Sequence, residues 1–125
     1  MEINDLTYAV RGCLFKVHTQ LGPGLLESIY EEALTCELDL AKIPFKTQPL
    51  YPVFYNEIKL KKEFRLDLVV DNQLILELKS VENLAPVHAK QLLTYLKITK
   101  LKIGLLVNFN VDNMQQGIQR IVNKL

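Results

Sequence analysis

FRLDLVVDNQLILELKSV, residues 64–81, consists of two apolar runs separated by the turn signal Asp71-Asn72, a pattern that predicts a β-hairpin. Asp67, Glu77 and Lys79 stand inside these runs, where ordinary strands prefer apolar or neutral residues. The segment alone allows two interpretations. The three charges either form a solvated face of the sheet or build a metal-binding site.

The register of this hairpin determines whether the two carboxylates meet. Side chains alternate between the faces of a strand, so Asp67 and Glu77 share a face if they lie opposite each other and residues 71–73 form a three-residue loop. Such a loop needs a residue in the left-handed conformation, which Asn72 or Gln73 must supply without glycine. A two-residue turn would put the carboxylates on opposite faces unless a bulge corrected the register. The metal-site interpretation therefore predicts the three-residue loop.

Converging carboxylates repel each other, and a divalent cation between them relieves that repulsion. Oxygen ligands without histidine or thiolate favour a hard ion, Mg²⁺ or alternatively Mn²⁺. Lys79 would lie on the face of the carboxylates, where it could orient or deprotonate an attacking water. Lys59, Lys61 and Arg65 would continue that face away from the carboxylates and would suit a phosphodiester backbone. From the hairpin alone, a solvated face with lysines guarding an edge strand remains equally open.

Hydrophobic periodicity organises the rest of the chain. The predicted elements are helices at residues 4–21 and about 25–40, strands at 45–55, 58–70 and 73–81, a helix after Pro86, a strand at 102–109, and a helix from about Asp112 to the C-terminus. The first two helices should form a helical hairpin. The order is ααβββαβα, with the final strand parallel to its neighbour through the helical crossover.

The composition fits one domain spanning residues 1–125. With 49% apolar residues, the chain can bury a single core without disulfides. Cys13 and Cys36 lack zinc-like spacing and fall among apolar residues, so both are expected to be reduced core residues. No apolar stretch approaches the length of a membrane span, which predicts a cytoplasmic protein with no membrane partner. A net charge of +1 means that only a local basic patch could attract nucleic acid.

Polar residues on the predicted helices supply further candidates. On the third helix, His88, Gln91 and Tyr95 fall within an arc of about 60° beside the apolar stripe. Gln91 and Tyr95, four residues apart, could present their polar ends to one place. On the second helix, Glu27 lies at the edge of the apolar arc, but Glu37 falls even deeper in that arc. Spacing alone does not choose between these two glutamates.

Three segments together resemble the GxxExxY proteins: GLLESIY (24–30), ELKSVENLAPVHAKQLLTYLK (77–97) and GLLVNF (104–109). The resemblance covers nearly the whole chain. GxxExxY proteins are in turn similar to the PD-(D/E)XK nuclease superfamily, whose core has a helix, a β-meander, a crossover helix and a further strand. Each motif is weak alone, but their joint occurrence in the correct order is much more specific. The resemblance implies a restriction-endonuclease-like α/β fold with a mixed central sheet flanked by helices.

This resemblance also implies roles for individual residues. The implied catalytic residues are Glu27, Asp67, Glu77 and Lys79. The implied metal ligands are Glu27, Asp67, Glu77 and the backbone carbonyl of Leu78. Leu66 replaces the proline that often precedes the aspartate, a departure that leaves the ligand itself intact.

The substrate-binding residues implied in the same way lie on two other elements. Gln91 and Tyr95 match the Q-x-x-x-Y motif that RecB-like members carry on the crossover helix. Lys59, Lys61 and Arg65 are expected to contact the substrate backbone. Glu37 has no motif counterpart, so the resemblance favours Glu27 as the helix-borne acid.

The function implied is a Mg²⁺-dependent nuclease that hydrolyses phosphodiester bonds of DNA, with RNA as the alternative substrate. Since no separate recognition domain is evident, cleavage directed by nucleic-acid structure or by strand ends is expected. The competing hypothesis is a catalytically inactive nuclease-fold module that binds a partner. The third hypothesis is a homodimer or a larger complex that docks through an apolar stripe of the last helix: Met114, Ile118, Ile121 and Leu125. That stripe would otherwise pack inside the molecule.

Overall fold

The structure is a computed structural model that describes residues 1–124. Its helices are α1 (Ile3–Leu21), α2 (Glu27–Leu40) and α3 (Pro86–Thr99), and a short 3-10 helix covers Met114–Gly117. Its strands are β1 (Phe45–Thr47), β2 (Leu50–Tyr55), β3 (Ile58–Arg65), β4 (Leu68–Val70), β5 (Leu74–Lys79), β6 (Ile103–Asn108) and β7 (Ile118–Val122). None of the helices described is long and apolar enough to cross a membrane.

A mixed five-stranded sheet forms the centre, in the order β1-β4-β5-β6-β7. β5 and β6 are parallel and are joined through α3, whereas the other neighbours in this sheet are antiparallel. The parallel pair confirms the predicted crossover, because α3 returns the chain to the end of the sheet where β5 began. The fold is α/β, as expected.

Alternating side chains of the sheet serve two separate cores. Leu74, Leu76 and Leu78 of β5 belong to the larger core under α1 and α2. Ile75 belongs to the smaller core under α3, with Leu92 and others. Because strand side chains alternate, Glu77 and Lys79 follow Ile75 towards the α3 face.

β2 and β3 form a two-stranded antiparallel sheet of their own, here called the β2–β3 hairpin. Aromatic rings attach its base to α3: Phe64 stacks on Tyr51 at a centroid distance of 5.8 Å and on Tyr95 at 4.9 Å. The hairpin turn consists of Asn56 and Glu57, both with positive φ. Two left-handed residues are typical of the tight turns that match strand twist.

The predicted run of three strands before α3 is therefore wrong, since five strands are present. The chain leaves the central sheet after β1 and re-enters it at β4. At the crossing, the Gln48 amide donates to the Asp67 carbonyl and the Leu66 amide donates to the Pro49 carbonyl. Gln48 has a φ of 50°, and the following proline has no amide hydrogen to continue a ladder. The face that was expected to run unbroken from Lys59 to Asp67 consequently ends at Arg65.

The predicted last helix is also wrong. The Asn113 side chain, not Asp112, caps a single 3-10 turn, and β7 then pairs with β6. A Cβ at position 117 would collide with the Asn108 carbonyl. Glycine at this position therefore allows the end of the 3-10 turn to lie close against the end of β6. β-branched residues then suit the sheet edge.

The apolar stripe assigned to that helix packs inside the molecule. Met114 is buried in the larger core, Ile118 packs against the same core, and Ile121 packs against the smaller one. Leu125 lies outside the described residues. The docking helix of the third hypothesis is thus absent from the described part of the chain.

Of the two cysteines, Cys13 is buried as expected but Cys36 is exposed. The buried stripe of α2 runs through Tyr30, Leu34 and Leu38 at four-residue steps. Cys36 falls off this stripe, so the expectation that it is a core residue was wrong.

Candidate active site

The turn between β4 and β5 has the register that the metal-site interpretation requires. Val70 pairs with Leu74, and residues 71–73 form a three-residue loop. Asn72 is left-handed, as predicted, and Asp71 is left-handed as well. Asparagine and aspartate tolerate this conformation better than other non-glycine residues, which explains how the turn forms without glycine.

Asp67 and Glu77 are held side by side by each other's backbone, in an arrangement here called the carboxylate clasp. Asp67 Oδ2 accepts a hydrogen bond from the Leu78 amide at 2.8 Å. Glu77 Oε1 accepts one from the Asp67 amide at 3.3 Å. Each carboxylate therefore takes a backbone donor from the partner strand, in the place where a ladder bond would otherwise form.

Burial within this clasp changes the protonation of Glu77, which is only 7% exposed. Burial, followed by the negative charge of Asp67, raises the pKa of Glu77 to about 8. The hydrogen bond from the Asp67 amide and the positive charge of Lys79 act in the opposite direction but are weaker. Two adjacent carboxyl groups of this kind hold a proton readily and would exchange it for a cation.

Tyr95 lies near the same pair of carboxyl groups. Burial, followed by the charges of Glu77 and Asp67, raises the pKa of the Tyr95 phenol. Tyr95 is half-buried and its ring stacks on Phe64. Gln91, one turn earlier on α3, is exposed. The structure therefore brings Tyr95 near the carboxylates and leaves Gln91 exposed on the surface of α3.

Glu27 is the first residue of α2, and the preceding loop is anchored on both sides. The Tyr30 hydroxyl donates to the Gly22 carbonyl and accepts from the Leu25 amide, while the ring stacks on Phe109 at 4.3 Å. Tyr30 is thus a buried aromatic residue whose hydroxyl has both a donor and an acceptor partner. The Ser80 hydroxyl, one residue beyond β5, donates to the Leu25 carbonyl at 2.6 Å.

The spacing of the G-x-x-E-x-x-Y segment has a local explanation in this loop. Gly24 has a φ of 97°, which favours glycine, and Tyr30 fixes the loop to the core one turn after Glu27. Since Ser80 follows the strand that carries Glu77 and Lys79, the start of α2 is tied directly to the end of β5. Glu37, in contrast, lies far along α2 and does not line the cleft described next.

A cleft of about 250 Å³ opens beside the clasp. Its lining residues are Glu27, Ser28, Glu31, Gln48, Asp67 and Leu78. Three of the four implied metal ligands therefore share this cleft. Glu77 and Lys79 point to the α3 face of the sheet and do not line this cleft. Asp67 is therefore the residue that belongs both to the cleft and, with Glu77, to the clasp.

Glu31 and Gln48 are members of the cleft that the sequence analysis missed. Gln48 Nε2 donates to Glu31 Oε1 at 2.7 Å, and the Gln48 amide bonds to the Asp67 carbonyl. Glu31 stands four residues after Glu27 and therefore shares its helix face, which was a usable signal. Nothing in the sequence near Gln48 indicated its position, because that depends on the crossing between the two sheets.

Lys59, Lys61 and Arg65 are exposed on β3 and do not line the cleft. Their strand belongs to the β2–β3 hairpin, which joins the central sheet immediately before Asp67. They thus lie along an arm that leads away from the carboxylates, on a different sheet from the one expected.

The two lone histidines have structural partners. His18 is buried and its Nε2 lies 2.6 Å from the Val111 carbonyl. His88 Nδ1 accepts from the Ala85 amide at 3.0 Å and so caps the start of α3. Asn108, also missed from sequence, is buried and bonds both the amide and the carbonyl of Val81. It fixes the chain where β5 leaves the sheet.

The ligand chemistry around Asp67 suits a hard cation, because every implied ligand atom is an oxygen. In residues 1–124, however, no three histidine, cysteine or acidic side chains are grouped closely enough to hold a metal ion. The candidate metal ligands are two carboxylates and a backbone carbonyl, with Glu27 across the cleft. Such a set would leave several positions to water, as Mg²⁺ usually does.

Comparison with known proteins gives one family match. Residues 4–121 match the sequence model of the PD-(D/E)XK nuclease superfamily. No curated protein and no solved structure matched the chain. The match spans every residue that builds the clasp and the cleft. The chain therefore belongs to the PD-(D/E)XK nuclease superfamily.

Proposed function

We propose that this protein is a Mg²⁺-dependent nuclease, with Mn²⁺ as an alternative ion, that hydrolyses phosphodiester bonds of DNA. RNA is the alternative substrate. We further propose that cleavage is directed by nucleic-acid structure or by strand ends, and that residues 1–125 form one nuclease-like domain. The cytoplasmic location and the place within the GxxExxY group remain predictions from the sequence.

The carboxylate clasp is the observation that carries the proposal. A solvated strand face would leave Asp67 and Glu77 hydrated and independent, whereas here each carboxylate accepts a backbone amide of the other's strand. Keeping a buried glutamate whose pKa is raised to about 8 costs stability, and such perturbed groups cluster at functional sites.

Each residue would have a defined task. Asp67, Glu77 and the Leu78 carbonyl would hold the metal, and Glu27 would bind it or its water shell from across the cleft. The bound ion would supply a Lewis acid that activates water and offsets charge on the phosphate. Lys79 would support the attacking water, and Gln91 and Tyr95 would position the phosphate or the strand end. Lys59, Lys61 and Arg65 would contact the backbone of the substrate.

Calorimetry of Mg²⁺ and Mn²⁺ binding, with and without a short oligonucleotide, tests this directly when it is followed by a gel of the same mixtures. We expect wild type to bind metal and cleave, and Asp67→Ala to lose both. Asp39→Ala is the matched control, because Asp39 is an exposed aspartate near the end of α2. Folded wild-type protein that binds no metal, even with oligonucleotide present, would contradict the proposal.

One observation favours the competing function, an inactive binding module. Both carboxylates of the clasp already have hydrogen-bond donors, and no three-ligand cluster exists in the part of the chain described. Binding of oligonucleotide without metal uptake or cleavage would support this second candidate. Sedimentation of the same samples would test the homodimer or larger complex.

A further inference from the structure

The end of the β2–β3 hairpin exposes apolar side chains that the fold does not explain. Phe54 is 61% exposed, Tyr55 66% and Ile58 64%, all next to the turn. Exposed apolar residues grouped in this way mark interaction sites, whereas single ones need no explanation. The base of the same hairpin is anchored by the Phe64 stack, so the exposed tip is an arm on a fixed support.

This arm is also the basic part of the molecule. Residues 50–65 contain four basic residues and two acidic ones, a net charge of +2, while the whole chain has +1. The remainder is therefore slightly acidic. The four basic residues, Lys59, Lys61, Lys62 and Arg65, are all exposed. Exposed rings on β2 beside exposed cations on the neighbouring β3 suit a polyanion with flat groups rather than an apolar protein surface.

The basic surface continues from the arm onto the end of α3. A groove of about 670 Å³ separates the hairpin from α3 and includes Phe54, Ile98 and Lys100 among its lining residues. Lys100 also lines the adjoining cavity with Lys97, Lys102 and Lys124. The charged residues that line the groove are Glu57 on the arm and Lys100 after α3, so the cations nearest the groove lie on the α3 side.

We propose that the β2–β3 hairpin is an arm whose tip binds unpaired nucleic acid, with bases stacked on Phe54 on one face and on Tyr55 on the other. The phosphates are held by the lysines. β3 has eight residues and extends about 25 Å from the turn to Arg65, and the clasp begins two residues later. A strand on the arm is thus led to Asp67. The proposal rests on the proposed nuclease function for its catalytic consequence, but binding itself does not need the metal.

Duplex DNA fits the arm less well. A two-stranded ribbon can enter the major groove, but it reads bases through polar side chains, and the residues that flank the turn of this arm, Phe54, Tyr55 and Ile58, are mostly apolar. Aromatic rings stack on bases most readily when those bases are unpaired, and this contact tolerates any sequence. The arm would therefore select single strands or frayed ends.

Fluorescence anisotropy in EDTA tests the arm without cleavage, using a labelled oligothymidylate of about 12 nucleotides and a duplex of equal length. We expect wild type to bind the single strand about 10-fold more tightly than the duplex, and Phe54→Ala/Tyr55→Ala to lose about 10- to 100-fold in affinity for the single strand. Tyr8→Ala is the matched control, because Tyr8 is 81% exposed on α1, away from the arm. It should change affinity by less than about twofold.

The salt dependence gives a second readout. Replacing Lys59, Lys61 and Lys62 with alanine should reduce the slope of log affinity against log salt by about 2, since each phosphate contact on a single strand contributes about 0.7. Equal affinity for duplex, no binding, or an equal loss in Tyr8→Ala would overturn the proposal. So would sedimentation that shows self-association through Phe54 and Tyr55 without oligonucleotide binding.

The two proposals fail separately. If the protein cleaves with Mg²⁺ but shows no preference for single strands, the arm proposal is wrong and the nuclease proposal stands. If the protein binds single strands tightly in EDTA through Phe54 but does not cleave when Mg²⁺ is added, the nuclease proposal is wrong and the arm proposal stands.

Discussion

Strands β3 and β5 have similar sequences and opposite surroundings. IKLKKEFR and LILELK both place charged residues among apolar ones. β3 is exposed along its length except at the half-buried Phe64, whereas β5 is buried from Leu74 to Leu78. Charged alternation in a sequence therefore does not determine whether the charge is hydrated.

The neighbours of each strand explain the difference. β3 pairs only with β2, so most of its side chains keep their water. β5 lies between β4 and β6 and is covered by α1 and α2 on one face and by α3 on the other. Glu63 on β3 is consequently an ordinary surface residue, while Glu77 on β5 loses its hydration and has its pKa raised to about 8.

The largest effect is expected from deleting one apolar side chain in each strand. Leu76→Ala on β5 should lower the free energy of unfolding by about 2–5 kcal/mol, because Leu76 is fully buried in the larger core. Leu60→Ala on β3 should cost less than about 1 kcal/mol, because that leucine is 39% exposed. Urea unfolding measures both, and equal losses would mean that the arm is covered in solution.

The next effect concerns the pH dependence of stability. A carboxyl group with a raised pKa binds its proton more tightly in the folded state, so its contribution to stability is present at low pH. That contribution is lost as pH rises from about 4.5 through about 8. Without metal, Glu77→Gln should therefore be more stable than wild type above about pH 8, by roughly 1–3 kcal/mol.

Glu63→Gln on β3 is the control for this change, and it should leave the pH profile within about 0.5 kcal/mol of wild type. Thermal unfolding in EDTA between acidic and alkaline pH compares the three proteins. A wild-type profile that stays flat, or one that rises with pH, would show that Glu77 is not the buried group described.

A pair of phenylalanines on the arm should give a smaller effect. Phe64→Ala removes the ring between Tyr51 and Tyr95 and should cost about 1–2 kcal/mol. Phe54→Ala, at the exposed tip, should cost less than about 0.5 kcal/mol. If urea unfolding ranks the two in the reverse order, the base of the arm is not where it is attached.

The smallest effect compares a lysine from each strand. Lys79 lowers the pKa of Glu77, so Lys79→Ala should raise that pKa further. Lys61→Ala on β3 should leave it unchanged. NMR titration of the Glu77 side chain distinguishes these results, and an equal response to both substitutions would indicate a long-range field rather than a local neighbour.

Local patterns reduced the β4–β5 hairpin to two registers, because alternation and loop length both depend on residues close in sequence. They did not choose between the three-residue loop, which the structure has, and a two-residue turn. The crossover through α3 followed from the change of hydrophobic period. Glu27 required the family resemblance, since periodicity preferred Glu37.

The features that sequence did not reveal depend on contacts distant along the chain. β7 forms because β6 offers an open edge and Gly117 fits against Asn108, neither of which is visible in the helix-like spacing of residues 114–121. Likewise, the separate β2–β3 sheet and the place of Gln48 arise at the crossing near Asp67. Propensity was overridden there by tertiary pairing.

The carboxylate clasp gives each acid its own spectroscopic reporter. The amide of Leu78 senses Asp67, and the amide of Asp67 senses Glu77, since each donates to one of those carboxylates. Because hydrogen bonds to ionised carboxylates are stronger than those to neutral ones, the nitrogen and proton frequencies of these amides should move when the bonded acid changes charge. Following the Asp67 amide peak against pH would read the protonation of Glu77 from the backbone.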